Sequence, residues 1–231
     1  MRISDFGTAA LSLALVVTGF MAAPAQGNTY TLDQVLAKMD EVGKAFLSMQ
    51  ATIERTKVTV IVNDKAIDSG TVYFTRRGKV SRIMLQITRP EQQRMLIDAG
   101  KALLYFPKLK QVQEYVLGNN QDKAEFMLIG FGQSKEDIKR VYDSAIVGEE
   151  RIDGQKTSVL ELQPKDPKAS AMFTSIRLWM DQQRWIPVQI KTTEAGGDYM
   201  VLKFANIKMN QKIPDSAFDL KLPKDVQTIK M

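Results

Sequence analysis

The sequence predicts a mainly β fold of the α+β class, in which an antiparallel sheet curls toward a barrel or half-barrel and carries two helical insertions. Three observations support this fold. Short apolar segments with a period of two recur along the chain and are separated by turn residues. An apolar stripe with helical spacing precedes them, and a second apolar segment interrupts them. In residues 70–118, the predicted strands carry large apolar side chains on both faces.

Apolar side chains on both faces of a strand are unusual, because an antiparallel sheet normally buries one face and exposes the other. In one predicted strand, Leu104 and Phe106 lie on the face opposite to Tyr105. Two interpretations are open at this point. The sheet either packs between layers of its own domain, or it is covered on one side and encloses a ligand on the other.

A helix is predicted near residue 31. Thr31 and Gln34 have the spacing of a capping box. Gly43 falls within the apolar stripe that follows, where it lowers helix stability but allows close packing. The stripe consists of Leu32, Val35, Leu36, Met39, Val42, Phe46 and Leu47.

The strands are predicted from alternation and turn residues. Residues 124–131 are predicted as a short helix, and Ser134 and Asp137 cap a second helical turn. Residues 164–171 are predicted as a loop, and the tail is expected to return Phe218 and Leu220 to the sheet. The predicted strands are 53–62, 67–76, 80–88, 93–98, 101–106, 111–117, 142–151, 157–163, 175–181, 185–193 and 199–207.

The first twenty-five residues resemble a secretory signal peptide. Arg2 precedes an apolar run over residues 9–21, and residues 23–25 form a small-residue cleavage site. The run is too short for a stable membrane span. We therefore expect residues 1–25 to be removed and residues 26–231 to form a single exported, soluble domain.

Two absences limit the chemistry of the chain. It has no cysteine and no histidine, which excludes disulfides, thiolate nucleophiles, histidine-dependent triads and ordinary zinc sites. We therefore expect no catalytic residues, no metal and no cofactor. An enzyme would have to use carboxylates or lysines, and the adjacent Glu149 and Glu150 would face opposite sides of a strand.

The net charge of +6 is scattered along the chain. An exported protein without a basic stripe is a poor candidate for nucleic-acid binding. A solvated surface is the favoured interpretation, and attraction toward anionic membranes or acidic partners is a second one. The basic positions are densest at Arg76, Arg77, Lys79, Arg82, Lys108 and Lys110.

Four segments, in this order and spacing, resemble the family of periplasmic outer-membrane lipoprotein carriers, the LolA-like proteins. VYFTRRGKV resembles the family's aromatic strand that ends in Arg-Pro, although Arg77 stands in the place of the proline. LIDAGKALLYFPKLKQV resembles its Asp-Gly-Lys hairpin, with one additional residue in the turn. FMLIG resembles the helical segment after the meander, and FANIKMNQKIPDSAFDLKLPKDV resembles the closing pattern. Together the four segments span nearly all of residues 30–229.

The resemblance implies a curved antiparallel half-barrel of about eleven strands with a helical lid over an apolar cavity. It also implies a monomeric periplasmic carrier that shields lipoprotein acyl chains and delivers them toward the outer membrane. Its partners would be lipoprotein acyl chains or another lipid, an inner-membrane lipoprotein-releasing transporter and an outer-membrane receptor. The position of the family's functional arginine corresponds to Arg76.

The expected cargo site combines a strand wall with the lid. Arg76 shares a strand face with Val72 and Phe74, and lid carbonyls are expected to accept hydrogen bonds from its guanidinium, since an unpaired buried charge is costly. The twelve methionines suit either core filling or an adaptable pocket. The wall residues are Val72, Phe74, Ile83, Leu85, Leu104 and Phe106, and the lid residues are Phe126, Met127, Leu128 and Ile129.

Other functions stay open from the sequence. A related envelope protein that binds a lipid or glycolipid, or that senses lipoproteins, would share the fold. A carboxylate-dependent hydrolase and a structural adaptor with a filled core are less favoured. A continuous cavity beneath the helices would distinguish a carrier from an adaptor.

Overall fold

The computed structural model describes residues 29–77, 80–117 and 129–231, which form one curved sheet and a few short helices. The helices within these residues are α1 (Leu32–Lys44), α2 (Lys135–Val141) and α3 (Pro167–Met172), with 3-10 turns at Pro107–Leu109 and Asp215–Phe218. The strands are β1 (Ser48–Thr59), β2 (Asp64–Arg77), β3 (Val80–Arg89), β4 (Gln93–Asp98), β5 (Lys101–Phe106), β6 (Gln111–Val116), β7 (Tyr142–Ile152), β8 (Gln155–Pro164), β9 (Ser175–Asp181), β10 (Pro187–Thr193), β11 (Tyr199–Met209) and β12 (Gln227–Lys230).

The sheet order confirms the predicted antiparallel meander. Within the described residues the twelve strands lie in the order β12-β6-β5-β4-β3-β2-β1-β11-β10-β9-β8-β7. Neighbouring strands are antiparallel except for β12, which runs parallel to β6. The chain therefore leaves β11 at the centre of the sheet and crosses to one edge before β12 begins.

Three local predictions are corrected by the structure. Val60 and Val62, predicted at the end of a strand, lie in the turn between β1 and β2. The predicted loop 164–171 contains α3, which begins after Asp166 because that side chain accepts a hydrogen bond from the Ala169 backbone at 3.0 Å. The tail adds β12, a strand beyond the eleven predicted, and Phe218 reaches the sheet from a 3-10 turn.

Helix α1 begins as predicted. The Gln34 backbone donates to the Thr31 hydroxyl and the Thr31 backbone donates to the Gln34 side chain, which completes the capping box. The helix ends at Lys44, so Leu47 falls outside the apolar stripe and is 59% exposed. Gly43 allows the close packing expected of it, because a Cβ at this position would lie 3.1 Å from the Gly132 Cα.

Both faces of the sheet are covered near β3, β4 and β5. On the inner face, α1 and residues 129–138 pack against side chains from both halves of the sheet. On the outer face, the C-terminal segment places Phe218 and Leu220 against Met84, Tyr105 and Val112. The two apolar faces of these strands therefore contact different partners, since the tail covers one and the helices lie over the other.

Two further contacts of the sheet contribute to stability. The Glu149 carboxylate accepts hydrogen bonds from the Thr29 backbone at 2.7 Å and from Gln182, and it pairs with Lys156 at 3.0 Å. Burial alone raises the pKa of Glu149, but these hydrogen bonds outweigh it and lower the pKa from 4.5 to about 2. Between β2 and β3, a Cβ on Gly70 would lie 1.9 Å from the Gln86 carbonyl oxygen.

Candidate functional site

A cavity of about 540 Å³ opens into the inner face of the sheet at the end where β1 meets β2. Its deeper wall is apolar, and its mouth carries the charged and polar side chains. The apolar residues that line it are Ile53, Val58, Val72, Ile83, Leu85, Met95, Phe173, Ile190, Met200, Leu202 and Phe204. The polar residues that line it are Arg55, Lys57, Thr59, Thr192, Glu194, Asp198 and Tyr199.

The strand register explains how the sequence builds this wall. Val72 of β2 lies opposite Leu85 of β3, which lies opposite Met95 of β4, so these three side chains form one row across the sheet. In the other half of the sheet, Ile190 of β10 lies opposite Leu202 of β11. Because side chains alternate between the two faces along each strand, these paired apolar residues all point to the inner face of the sheet.

An ion pair and a hydrogen bond to the backbone involve charged side chains at the mouth. Arg55 forms an ion pair with Asp68, and both side chains are about one-fifth exposed. The Asp198 carboxylate accepts a hydrogen bond from the Val60 backbone at 2.8 Å, which ties the β1–β2 turn to the β10–β11 turn. An amphipathic ligand would therefore place its polar end at the mouth and its apolar part beside the deeper wall.

Aromatic side chains fill the other end of the inner face, beneath α1. The rings of Phe46 and Phe74 stack with centroids 5.2 Å apart. Phe131 contacts Phe46, with centroids 5.7 Å apart, and Phe204, with centroids 5.2 Å apart. Phe204 also lines the cavity, so Phe131 lies directly behind part of the cavity wall.

Arg76 contacts the segment formed by residues 129–134. Its Nη1 donates to the Gly132 carbonyl at 3.4 Å, and its Cζ lies 5.6 Å from the centre of the Phe74 ring. Gly132 has φ +79°, and a Cβ at this position would lie 2.9 Å from Arg76 Nη1. The left-handed backbone conformation favours glycine here, and a larger side chain would displace the guanidinium of Arg76 from Gly132.

The structure distributes the predicted wall residues between two regions. Val72, Ile83 and Leu85 line the cavity. Phe74 is on the same face but packs beneath Phe46 in the filled half.

The remaining predicted wall and lid residues either do not line the cavity or lie outside the described residues. The register places Leu104 on the inner face, opposite Met95, and Phe106 follows two residues later on that face. Both are half-buried and do not line the cavity. Ile129 is fully buried in the inner core. The predicted lid residues Phe126, Met127 and Leu128 lie outside the described residues.

Sequence reasoning missed the half of the wall that follows residue 118. Met200, Leu202 and Phe204 alternate along β11, and this period of two was a usable signal for an inward-facing strand. Ile53 was assigned to a strand without being assigned to the cavity. Phe173 was missed because it follows a helix that was predicted as a loop.

A match to a known protein family identifies the family of the chain. Residues 48–221 match the family model described as "Outer membrane lipoprotein carrier protein LolA". The chain belongs to the LolA family. This match confirms the resemblance drawn from the four sequence segments.

Similar proteins show how widely the fold is shared. An uncharacterized conserved protein from Thermus thermophilus has 14% identity and a TM-score of 0.54, with 86% of this chain and 98% of that chain covered. MucB, which is also solved with MucA from Pseudomonas aeruginosa, has 14% identity and a TM-score of 0.51, with 81% of this chain and 62% of that chain covered. At these identities the likeness shows the fold alone.

A relative in Methanocaldococcus jannaschii, itself an uncharacterized protein, is 23% identical over 215 residues. The match covers 93% of this chain but 58% of that relative, so the chain spans little more than half of the relative's length.

Two properties of the described residues bear on membrane and metal binding. Among the described residues, no helix has the length and hydropathy to cross a membrane, and no three acidic side chains cluster as a metal site.

Proposed function

We propose that this protein is a periplasmic carrier that shields the acyl chains of a lipoprotein in the inner-face cavity and delivers them toward the outer membrane. The observation that carries the proposal is a cavity with an apolar wall in a chain of the LolA family. The cavity opens beside the aromatic cluster beneath α1 and not under that helix as expected, but an unfilled part of the inner face still favours a carrier over an adaptor with a filled core.

The physical need for a cavity follows from the cost of exposing hydrocarbon to water. Each exposed methylene costs about 0.8 kcal/mol, so an acyl chain of about sixteen methylenes costs on the order of 13 kcal/mol by the same rule. A lipoprotein therefore cannot cross an aqueous compartment at a useful rate without a shield. A carrier supplies this shield when its wall replaces most of the water around the chain.

The size of the cavity limits what it holds in the described conformation. A volume of about 540 Å³ equals that of roughly eighteen water molecules at about 30 Å³ each. Since a methylene and a water molecule are similar in size, this space accommodates about one acyl chain. A cargo with two or three chains requires more room, and displacement of Phe131 from behind Phe204 would provide it.

The contact between Arg76 and Gly132 is well placed to control such a displacement. It joins β2 to residues 129–134, the segment whose Phe131 lies behind the cavity wall. The donor–acceptor distance of 3.4 Å indicates a weak hydrogen bond. We propose that the contact closes the empty carrier and opens when cargo enters.

A pair of substitutions on β11 tests the cavity. Leu202 lines the cavity, whereas the adjacent Val201 faces the opposite side of the strand. Leu202→Trp adds about six non-hydrogen atoms, which at ~0.8 kcal/mol per displaced methylene could remove up to about 5 kcal/mol of binding free energy. Because the mouth is open and a chain can shift, we expect at least a tenfold loss of affinity, about 1.4 kcal/mol.

The assay is equilibrium binding of a fluorescent triacylated lipopeptide in solution, with Val201→Trp as the matched control. Unchanged binding by Leu202→Trp, or no binding by the wild type, would refute a role for this cavity in cargo binding. Mass spectrometry of lipid extracted from the purified protein identifies the cargo. Triacylated peptide supports the carrier, and an intact glycolipid would favour a related lipid-binding protein.

A further inference from the structure

The turn between β1 and β2 exposes three consecutive aliphatic side chains. Val60 is 50% exposed, Ile61 is 87% exposed and Val62 is 68% exposed. Single exposed apolar residues are ordinary on a protein surface, but a contiguous group at a protruding point usually marks an interaction surface. We call residues 60–62 the hairpin tip.

The hairpin tip lies at the mouth of the cavity. Val58 and Thr59, which immediately precede it, line the cavity, and the Val60 backbone donates to Asp198, which also lines the mouth. Strand β3 does not pair with the part of β2 next to the tip, because the pairing of β2 with β3 begins at Ser69. Residues 64–68 of β2 therefore extend roughly 16 Å beyond that pairing, at about 3.3 Å per residue.

A second element adds apolar surface at the same end of the sheet. Because the strands alternate in direction, α3 between β8 and β9 lies at the end that carries the hairpin tip. Met172 at the end of α3 is 55% exposed, and the next residue, Phe173, lines the cavity. The mouth therefore has exposed apolar side chains on two separate elements.

Lysines flank the hairpin tip on both strands. Lys57 of β1 and Lys65 of β2 are both exposed, and each lies within three residues of the tip. Long lysine side chains can extend their ammonium groups to lipid phosphates while apolar neighbours enter the boundary between headgroups and acyl chains. The exposed Asp64 also lies within three residues of the tip, so the three flanking charges sum to +1, which suits the surface of a bilayer that contains anionic lipid.

We propose that the hairpin tip, together with Met172, is the surface by which the carrier touches an anionic lipid bilayer, with Ile61 entering the boundary between headgroups and acyl chains. This proposal rests on the proposed carrier function and adds where cargo enters and leaves. With the mouth against the bilayer, an acyl chain passes between membrane and cavity with little exposure to water. Lys57 and Lys65 contact the anionic headgroups and orient the mouth.

The absence of cysteine from the sequence makes a site-specific probe simple to introduce. The full-length carrier with Ile61→Cys is labelled with an environment-sensitive dye and mixed with vesicles of phosphatidylethanolamine and phosphatidylglycerol. The matched control is Val116→Cys, a residue that is 72% exposed and pairs with Lys101 at the opposite end of the sheet. We expect a blue shift and a rise in emission for the dye at Ile61 and no change at Val116.

Vesicle sedimentation supplies the affinity. We expect Ile61→Asp to bind these vesicles about tenfold or more weakly than the wild type, because a charge replaces an aliphatic side chain that would enter the bilayer. Val116→Asp should bind like the wild type. Binding should also weaken when phosphatidylcholine replaces phosphatidylglycerol and when salt is raised, since both changes reduce attraction by the lysines.

The outcomes separate this proposal from the carrier function. No spectral change at Ile61, or equal changes at Ile61 and Val116, would overturn the bilayer contact and leave the hairpin tip as a surface for a protein partner. Lipopeptide binding in solution is measured on the same variants without vesicles. If Ile61→Asp retains that binding while losing vesicle binding, both proposals are supported, and if the wild type binds vesicles but no lipopeptide, the carrier function alone fails.

Discussion

The contact between Gly43 and Gly132 gives a prediction whose sign is informative. Gly43→Ala should stabilise α1 by about 1 kcal/mol, because alanine has the higher helix propensity. The added Cβ would also lie 3.1 Å from the Gly132 Cα and 3.3 Å from its carbonyl carbon. Both neighbours are backbone atoms, so relief requires residues 129–134 to move by a few tenths of an ångström.

The cost of that movement determines the expected result. Phe131 is 2% exposed and Ile129 is fully buried, so a shift of their segment disturbs a packed core and costs about 1–3 kcal/mol. Subtracting the propensity gain leaves Gly43→Ala destabilised by about 0–2 kcal/mol relative to the wild type. A loss of 1 kcal/mol in a chain of this size lowers the Tm by about 2–4 °C.

The assay is urea unfolding followed by circular dichroism, with Ala37→Gly as the control. Ala37 is exposed on the same helix, so this change should cost about 1 kcal/mol and thus measures the propensity difference in this helix. If Gly43→Ala were stabilised by the full amount that Ala37→Gly loses, the close contact between α1 and Gly132 would be refuted.

Three further predictions concern other contacts of the fold. Gly70→Ala should destabilise the protein by on the order of 3 kcal/mol or more, measured by urea unfolding, because the Cβ would meet a backbone oxygen, whereas Gly196→Ala, with no atom within 4 Å, should change stability by less than about 0.5 kcal/mol. Because the pKa of Glu149 is lowered in the folded state, its stabilisation is present above about pH 4.5 and disappears as the pH falls toward 2. Glu149→Gln should flatten the unfolding free energy across that window, and an unchanged pH profile would contradict the assignment. Arg76→Leu should leave the unfolding free energy within about 1 kcal/mol of the wild type but impair transfer of lipopeptide to acceptor vesicles, and normal transfer would remove Arg76 from the mechanism.

The sequence predicted those parts of the wall in which local pattern and tertiary structure agree. Val72, Ile83 and Leu85 were placed on one face from a period of two, and the strand register brings them to one cavity. Thr31 was assigned as a cap because its hydrogen bonds are local. For such residues the spacing along the chain is enough to predict the contact.

The sequence failed where a distant partner decides the local structure. Val60 and Val62 have high strand propensity but lie in a turn, because β1 ends at Thr59 and Asp198 accepts the Val60 backbone hydrogen. The pairing of β12 with β6 joins residues more than one hundred positions apart, and its segment has few apolar residues to indicate a strand. The acceptor for Arg76 was expected among the lid carbonyls, and Gly132 lies in the segment that follows the predicted lid residues.

The proposed carrier function explains why small contacts around the cavity matter. Transfer of an acyl chain from water into the cavity is favoured by on the order of 13 kcal/mol, a term that a single weak hydrogen bond cannot offset. The donor and the acceptor of a carrier, however, also surround the chain with hydrocarbon, so most of this term cancels between membrane and cavity. Against this smaller balance, a single hydrogen bond of about 1 kcal/mol matters, since it changes an equilibrium roughly fivefold. Under the proposed gating, the contact between Arg76 and Gly132 has a suitable magnitude to bias release, because it would be regained when the cavity empties and would be too weak to prevent loading.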